Sequence, residues 1–342
     1  MSDVTAQPAG PPGPVFVPAD AVAQAVDLPA AIAAIRQTYE AQPRESRGSA
    51  GRVVARGASG ARVRALAGVL PGGEILGAKI HVQTQDGGSR FLLAVFSQND
   101  GALLGLLDGR MITEIRTGAT SALALDLLAP PGPLDLALLG SGREARSHLR
   151  AIAALRSLRR VRVFSPTPER RERFAQQAAE ELSLEVMPCS SAEQAISGAD
   201  TIVAAARSRG ESPVFEPSAL RDGMTIVSVG STVPEQRELD AHVLGRAALI
   251  IADEPAELLA QSGDCIAAVD AGIALEHKTH SLVELVQHSL PVAIDHSAVN
   301  IFKSVGSALQ DIAVAGLVLQ RAADAGRAVP LAIDLSAKEQ RG

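Results

Sequence analysis

The stretch from Leu134 to Ala145 reads LDLALLGSGREA, an apolar run followed at once by the pattern G-x-G-x-x-A. In the dinucleotide-binding fingerprint, the first glycine makes a tight turn and the second lets the backbone approach a pyrophosphate. The small third residue lets the next helix pack closely, and that helix contributes N–H groups and positive potential. A glycine-rich turn that binds no ligand can have the same sequence pattern, but the flanking predicted strand and helix favour a nucleotide site. The predicted site comprises Gly140, Ser141, Gly142, Arg143, Glu144 and Ala145.

After this unit, short apolar runs alternate with amphipathic segments of helical period. The alternation predicts strands over residues 134–139, 161–164, 184–187, 201–205, 225–229 and 248–251, and helices over residues 143–155, 168–181 and 191–197. Strands and helices that alternate in this way form a parallel sheet with helices on both faces. The predicted fold class is therefore α/β, with a doubly wound sheet of the Rossmann type.

The part of the chain before residue 130 follows a different pattern. Apolar residues at helical spacing predict a helix over residues 21–42, which Pro29 divides in two. Short β-rich runs separated by glycine pairs then predict an antiparallel meander. Its strands cover residues 52–55, 61–67, 78–82, 90–96 and 103–107, and a helix over residues 117–128 follows. The PPGP sequence at residues 130–133 ends this region, and a helical segment at 306–328 is expected to pack back onto it.

The composition excludes several classes of protein. The 342 residues carry a formal net charge of −6 and 2% aromatic residues, which argues against binding to nucleic acid. No apolar run approaches the roughly 18 residues that cross a bilayer. The start is rich in Pro and Gly, lacks the pattern of a signal peptide, and predicts a disordered tail over residues 1–15. We therefore expect a cytoplasmic protein that binds neither nucleic acid nor membrane.

Cysteine and histidine spacing gives little support for a metal site. Cys189 and Cys265 lack the paired spacing of a zinc site, and a reducing compartment suits them. His277 and His280 form an H-x-x-H pair with no third ligand nearby in the sequence. We expect no bound metal, a buried Cys265 and a solvated histidine pair.

The residues after the second predicted strand bear on the choice of cofactor. NAD-binding proteins usually carry Asp or Glu there, and its carboxylate accepts hydrogen bonds from the ribose. Here Ser165 and Thr167 occupy this region, and Arg170 and Arg171 follow. The missing carboxylate and the nearby guanidinium groups favour NADP(H), with NAD(H) possible. A solvated helix face is the alternative interpretation of these arginines.

Three cations before residue 130 lie near the ends of predicted elements: Arg52, Lys79 and Arg116. Guanidinium groups bind a carboxylate in a fork, and an ammonium group can also donate a proton. Together the three are suited to hold the carboxylate of a small molecule. Their spacing alone fits three unrelated surface residues as well.

A series of ordered motifs extends over residues 52–311. After Arg52 the motifs are Gly77-Ala78-Lys79, Arg116-Thr117-Gly118-Ala119, Gly140-Ser141-Gly142 with Ala145-Arg146-Ser147-His148, Val229-Gly230-Ser231, Arg237-Glu238-Leu239-Asp240, Ser262-Gly263-Asp264, Phe302-Lys303-Ser304-Val305-Gly306 and Gln310-Asp311. Each motif is common by itself, but the ordered set is specific, and it resembles the ornithine cyclodeaminase/mu-crystallin family. The resemblance implies a homodimer with NAD(P)-dependent chemistry on cyclic or linear amino and imino acids.

The resemblance also implies a domain arrangement and roles for individual residues. Residues 16–129 and 309–342 would form a substrate-binding and dimerisation domain, with a Rossmann domain, residues 130–308, inserted between them. Arg52, Lys79 and Arg116 would grip the substrate carboxylate. The cofactor would be lined by Thr117, Val229, Gly230, Ser231 and Ser304, and by Ala206, where the family often has a threonine.

One departure from the family pattern bears on the reaction. In the cyclodeaminases of the family an Asp acts as acid and base on the substrate amine, and Thr232 stands at that position. A threonine hydroxyl does not act as a base near neutral pH without help, although Glu235 lies three residues on. The members that resemble mu-crystallin and the bacterial cyclic-imine reductases also lack this Asp, which favours reduction.

These features favour an enzyme that reduces a cyclic ketimine carboxylate, Δ1-pyrroline-2-carboxylate or Δ1-piperideine-2-carboxylate. The hydride comes from NADPH, and Lys79 or a water supplies or stabilises the proton on nitrogen, so Lys79 and Thr232 are the candidate catalytic residues. Two alternatives stay open. One is an ornithine cyclodeaminase with bound NAD+, and the other is a non-catalytic NADP(H)-binding or small-ligand-binding protein of the mu-crystallin type.

Overall fold

The computed structural model describes residues 13–43, 48–206, 211–333 and 335, which form two sheets with helices packed against them. The helices are α1 Ala19–Ala25, α2 Leu28–Ala41, α3 Gly109–Leu128, α4 Arg143–Leu155, α5 Pro168–Leu182, α6 Ala192–Ile196, α7 Ala241–Arg246, α8 Pro255–Gln261, α9 Gly263–Asp270, α10 Leu282–Val286 and α11 Ala308–Asp324. The strands are β1 Val15–Val17, β2 Val53–Arg56, β3 Arg62–Val69, β4 Ile75–Gln83, β5 Ser89–Ser97, β6 Leu103–Asp108, β7 Leu134–Leu139, β8 Leu158–Phe164, β9 Val186–Pro188, β10 Thr201–Ala204, β11 Thr225–Ser228, β12 Ala247–Ala252, β13 Thr279–Ser281, β14 Val299–Lys303 and β15 Val329–Pro330.

The predicted tail falls outside the described residues as far as residue 12, and its last residue, Val15, already belongs to β1. Across the described ranges, every helix is too short or too polar to span a lipid bilayer.

The first sheet has the strand order β15-β1-β6-β5-β4-β3-β2. Each strand from β2 to β6 is antiparallel to the next, which confirms the predicted meander. Gly60 and Gly87 turn the chain between strands with φ of +83° and +85°, a conformation that favours glycine. Strands β1 and β15 extend the sheet beyond β6. The sequence pattern does not predict them, because runs of three residues or fewer carry no detectable alternation.

The second sheet has the order β13-β12-β14-β11-β10-β7-β8-β9, and all its strand pairs are parallel. This confirms the predicted doubly wound α/β fold. The chain first winds from β7 to β8 and β9, and then returns to the other side of β7 to form β10. Because the winding reverses beside β7, a crevice forms at the carboxyl ends of β7 and β10. Strand β14, which the sequence pattern does not predict, lies between β11 and β12.

Helices α3 and α11 connect the two sheets. Helix α3 packs against α4, α2 and α11, and α11 also lies against β3, β4 and β5. The predicted return of the last helix to the first region is therefore confirmed, although α11 ends at Asp324 rather than at residue 328. Helix α3 begins at Gly109 rather than at the predicted Thr117, because the Asp108 side chain accepts a hydrogen bond from Arg110 N. The predicted division near Pro29 is confirmed, since Pro29 lies in the first turn of α2 and Asp27 caps it.

The face of the first sheet opposite α11 is apolar and exposed, and we call it the outer face. Cross-strand pairing places Val63 opposite Val82, and Ile80 opposite Leu92, on this face. These four side chains are 37–41% exposed, and Val53 beside them is 68% exposed. No described helix covers them.

Candidate active site

The glycine turn between β7 and α4 brings its backbone close to the end of β10. Gly140 has φ of +128°, and a Cβ atom there would lie 2.5 Å from the carbonyl oxygen of Ala205. Both the conformation and the close approach require glycine. Gly142 begins α4 without any capping side chain, and a Cβ there would meet no protein atom within 4 Å. The first amides of α4 therefore face open space, an arrangement that suits a pyrophosphate.

A cleft of about 430 Å³ lies in front of this turn. Its walls come from four places: the first half of α3, the start of α4, the carboxyl ends of β10 and β11, and the loop after β14. The lining residues are Thr113, Arg116, Thr117, Gly142, Arg143, Glu144, Ala205, Ala206, Val229, Gly230, Thr232, Ser304, Val305 and Gly306. The cleft thus occupies the crevice expected from the reversal of winding beside β7.

Most of the site residues predicted from the sequence line this cleft, and the others, Lys79 among them, lie outside its lining. Gly140 forms part of the turn itself, and Ala145, in the first turn of α4, is fully buried. The Ser141 and Ser165 hydroxyls are 2.8 Å apart, which joins the turn to the end of β8. Ser231 is buried below the floor and donates to Gln236 O at 2.8 Å. Thr167 and Arg170 are exposed at the start of α5, outside the cleft lining.

Two of the three predicted cations share one carboxylate. Lys79 Nζ lies 2.5 Å from Asp311 Oδ2, and Arg116 Nε lies 3.0 Å from Asp311 Oδ1. Arg116 also donates through Nη1 to Gln310 Oε1 at 2.7 Å. Asp311 is fully buried, and the two cations are less than a tenth exposed. Gly306, at φ +85°, leaves room for the guanidinium, since a Cβ there would lie 3.0 Å from Arg116 Nη1.

Burial changes the acidity of the Lys79 amine. Removal from water, together with the charges of Arg116 and Arg52, lowers its pKa from 10.5 to about 8 against the attraction of Asp311. At neutral pH the amine is therefore protonated, yet it loses its proton more readily than an exposed lysine does. A group with these properties can donate a proton to a nearby nitrogen.

Arg52 lies beside the cleft rather than in its lining. Its Nη2 donates to the carbonyl oxygen of Val305, a lining residue, and its Nε lies 3.2 Å from Glu257 Oε1. Arg52 lines a second pocket of about 520 Å³, and Thr232 borders both cavities. Arg116 thus lines the cleft and Arg52 lines the second pocket, while Lys79 lies outside both linings and contacts Asp311, the partner of Arg116.

Thr232 and Glu235, the two residues that bear on the reaction type, differ in position. Thr232 lines the cleft, and both its backbone N and its Oγ1 donate to Gln236 Oε1, at 3.1 and 3.3 Å. Glu235 lines the second pocket, where its mostly exposed side chain lies 3.6 Å from Arg56 Nη2. Among the described residues that line the cleft, the one acidic side chain is Glu144.

Sequence reasoning missed the residue that holds the loop after β14. Asp253 is buried and accepts hydrogen bonds from Ser304 Oγ at 2.5 Å, Val305 N at 2.9 Å and Gly306 N at 2.8 Å. It also accepts a bond from Gln310 Nε2 at 3.1 Å. Asp253 therefore fixes the loop that lines the cleft next to Arg116. The signal for it in the sequence is weak, since it is a carboxylate directly after an apolar strand.

The remaining expectations concern cysteine and histidine. Cys265 is fully buried within an apolar cluster, as predicted. His280 lies in β13 and is partly buried, 4.0 Å from Glu284, so the prediction of a solvated pair is wrong for this residue. In the ranges that the structure describes, no three His, Cys, Asp or Glu side chains are grouped in a way that would hold a metal ion.

A doubly wound parallel sheet with a glycine turn at its crevice, beside buried cations from β4 and α3, defines a protein of the Rossmann-type α/β class. The chain belongs to the ornithine cyclodeaminase/mu-crystallin family, whose model matches residues 83–326.

Similarities to individual proteins in sequence and in structure are consistent with this family. The chain is 34% identical to the ketimine reductase mu-crystallin of Mus musculus over 224 residues, 66% of this chain and 67% of that protein. It is 31% identical to a Δ1-pyrroline-2-carboxylate reductase of Bacillus cereus over 227 residues, 66% of this chain and 69% of that protein. Its structure is similar to that of the iminosuccinate reductase of Paracoccus denitrificans in complex with NAD+. That comparison has a TM-score of 0.86 and 26% identity, and it covers 94% of this chain and 99% of the other.

Proposed function

We propose that this protein reduces a cyclic ketimine carboxylate, Δ1-pyrroline-2-carboxylate or Δ1-piperideine-2-carboxylate, to the cyclic amino acid. The observation that carries the proposal is the placement of Lys79 and Arg116 on the buried carboxylate of Asp311, beside a cleft with a glycine turn. Relatives named as ketimine and Δ1-pyrroline-2-carboxylate reductases support the same reaction class.

The cations would bind the substrate carboxylate in this reaction. Arg116 uses Nε and Nη1 on Asp311 and Gln310, while its Nη2 donates to no described residue. That N–H pair is therefore available to a carboxylate in the cleft, and Arg52 adds positive charge from the neighbouring pocket. Fixing the carboxylate orients the conjugated imine, and such positioning supplies much of the acceleration in a two-reactant step.

Lys79 would supply the proton that the imine nitrogen gains. Its pKa of about 8 keeps the amine protonated at neutral pH, and Asp311 stabilises the ammonium charge until the proton is transferred. Thr232 would act as a hydrogen-bond acceptor for the substrate. Because its hydroxyl proton is donated to Gln236, its oxygen is free to accept a hydrogen bond from the nitrogen of the substrate.

The turn at Gly140 and the uncapped start of α4 fit a dinucleotide, and a nicotinamide bound here supplies hydride. We propose NADP(H) as the preferred form, with NAD(H) possible. No carboxylate follows β8 before α5 begins, Arg171 Nη1 donates to Ser165 O at 3.2 Å, and Arg170 is exposed beside it. These guanidinium groups are suited to a ribose 2′-phosphate.

We also propose the domain arrangement that the family resemblance implies, with residues 16–129 and 309–342 as a substrate-binding and dimerisation domain. The outer face supports a homodimer, because exposed apolar side chains on one sheet face are stabilised when a second copy covers them.

The decisive experiment measures consumption of NADPH and NADH by purified protein with each of the two cyclic imines. We expect saturable consumption that is faster with NADPH, and an Arg170→Ala variant that raises the KM for NADPH but not for NADH. Release of ammonia from ornithine without added reductant would instead identify a cyclodeaminase. Cofactor binding without turnover of any of these compounds would identify a binding protein.

A further inference from the structure

The side chain of Glu238 lies directly beneath the floor of the cleft. Its Oε1 accepts a hydrogen bond from Ala206 N at 3.2 Å, at the end of β10. Its Oε2 accepts bonds from Val229 N at 2.9 Å and Gly230 N at 2.7 Å, at the end of β11, and from Ser228 Oγ at 2.6 Å. A single carboxylate thus connects two adjacent strand ends that line the cleft.

The backbone of the floor is shaped to admit this carboxylate. A Cβ atom on Gly230 would lie 2.4 Å from Glu238 Oε1 and 2.9 Å from the carbonyl oxygen of Ala206. Contacts this short do not occur with a real side chain, so glycine at position 230 is a condition for the bonds of Glu238. The absence of a side chain at position 230 is therefore what lets the Glu238 carboxylate contact the floor of the cleft.

Two further buried charges accompany Glu238. Lys303 Nζ lies 2.7 Å from Asp264 Oδ2 and donates to Ser228 Oγ at 2.8 Å, while Asp264 Oδ1 accepts from Glu238 N at 2.8 Å. Glu238, Asp264 and Lys303 are all fully buried. The cluster has two carboxylates for one ammonium, and burial raises the pKa of Glu238 to about 7 against the pull of Lys303.

Stability alone does not account for this cluster. Buried charges lose the favourable interaction with water, and well-packed apolar side chains would serve the core equally well. What the carboxylate provides, and an apolar group would not, is a set of acceptors that fixes three backbone N–H groups in space. All three of those N–H groups belong to residues that line the cleft.

We infer that Glu238 is a positioning residue for the cofactor: its carboxylate ties Ala206 to Val229 and Gly230 and so sets the shape of the cleft floor. The inference rests on the proposed function, because it assumes that a dinucleotide binds in this cleft. Glu238 touches neither substrate nor cofactor in this role and acts through the backbone that it holds.

The test is the Kd for NADPH of a Glu238→Gln variant, measured by fluorescence titration without substrate. In this variant, the side-chain amide N–H of Gln would face a backbone N–H that the carboxylate accepts in the wild type, so part of the floor must move. We expect the Kd to rise about tenfold or more, the scale of a lost hydrogen bond to a charged group. Should the Gln variant fail to fold, a Glu238→Asp variant is measured, since its shorter side chain cannot reach both strand ends.

Glu284→Gln is the matched control. The Oε2 of Glu284 also accepts a backbone N–H and a hydroxyl, those of Ser281, at 2.7 and 2.8 Å, but outside the cleft lining. We expect this variant to lower the melting temperature without changing the Kd for NADPH. A folded Glu238 variant with the Kd of the wild type overturns the inference and leaves the proposed function intact. Wild-type protein that binds neither NADPH nor NADH overturns both.

Discussion

Lys79 combines burial, a lowered pKa and a carboxylate partner in one residue. If its ammonium donates the proton to the imine nitrogen, turnover requires the protonated form. The pKa of about 8 in the protein without substrate then predicts that kcat/KM for the imine falls as pH rises through about 8 and is constant well below it. The measurement is kcat/KM for the imine from about pH 6 to about pH 10 with saturating NADPH.

Substitutions at Lys79 separate its charge from its acidity. We expect Lys79→Met to lower kcat/KM about a hundredfold or more, because both the cationic contact with the substrate carboxylate and the proton donor are lost. Lys79→Arg keeps the charge next to Asp311 but does not release a proton in this pH range. Wild-type turnover by Lys79→Met, or an unchanged decline near pH 8 in Lys79→Arg, would contradict the assignment.

Gly140 and Gly142 stand two residues apart in the same turn but respond differently to an added methyl group. Gly140→Ala forces a Cβ to 2.5 Å from Ala205 O at φ +128°, so we expect a loss of more than about 1 kcal/mol in the free energy of unfolding. Gly142→Ala meets no protein atom within 4 Å at φ −94°, so stability is retained, but the methyl group enters the cleft and weakens NADPH binding. Urea unfolding and fluorescence titration of both variants check the contrast, which equal effects in the two assays would refute.

At the scale of secondary-structure elements, α11 carries both Gln310 and Asp311 and therefore sets the position of Arg116. Ser307 caps this helix in a reciprocal capping box with Gln310. We expect Ser307→Ala to lower the free energy of unfolding by about 1 kcal/mol and to raise the KM for the imine, because the first turn of α11 loosens. Ser281→Ala, which removes the equivalent cap of α10, serves as the control. It should lower stability similarly and leave the KM unchanged, and a KM effect shared by both variants would argue against the role of α11.

At the scale of the whole molecule, the outer face predicts the assembly. Ile80 lies near the middle of this face, so Ile80→Asp would place a charge where a second copy packs. We expect this variant to elute as a monomer under conditions in which the wild type is a dimer, by size-exclusion chromatography with light scattering. Val269→Asp introduces the same charge at an exposed apolar residue of α9, away from the sheet, and should leave the dimer intact. A monomeric wild type would contradict the proposed homodimer.

The parallel sheet and the glycine turn could be predicted because their signals are local. An apolar run, two glycines and a helical period lie within about 20 neighbouring residues, and each has a direct conformational meaning. The start of α3 and the central strand β14 were missed. The start of α3 depends on the cap at Asp108, and an Asp in the sequence also fits an ordinary turn. The pairing of β14 is set by the order of strands in the sheet, which the local sequence does not contain.

The sequence by itself determined the α/β fold, the antiparallel meander, the glycine turn and the residue types suited to a carboxylate and a dinucleotide. The tertiary structure alone decided how they meet. Arg116 and Asp311 are 195 positions apart, and Glu238 reaches backbone at two different strand ends. Spacing along the chain says nothing about such contacts, because they depend on the strand order of the second sheet and on where α11 packs. Burial, which lowers the pKa of Lys79 and raises that of Glu238, arises only when those distant segments close around them.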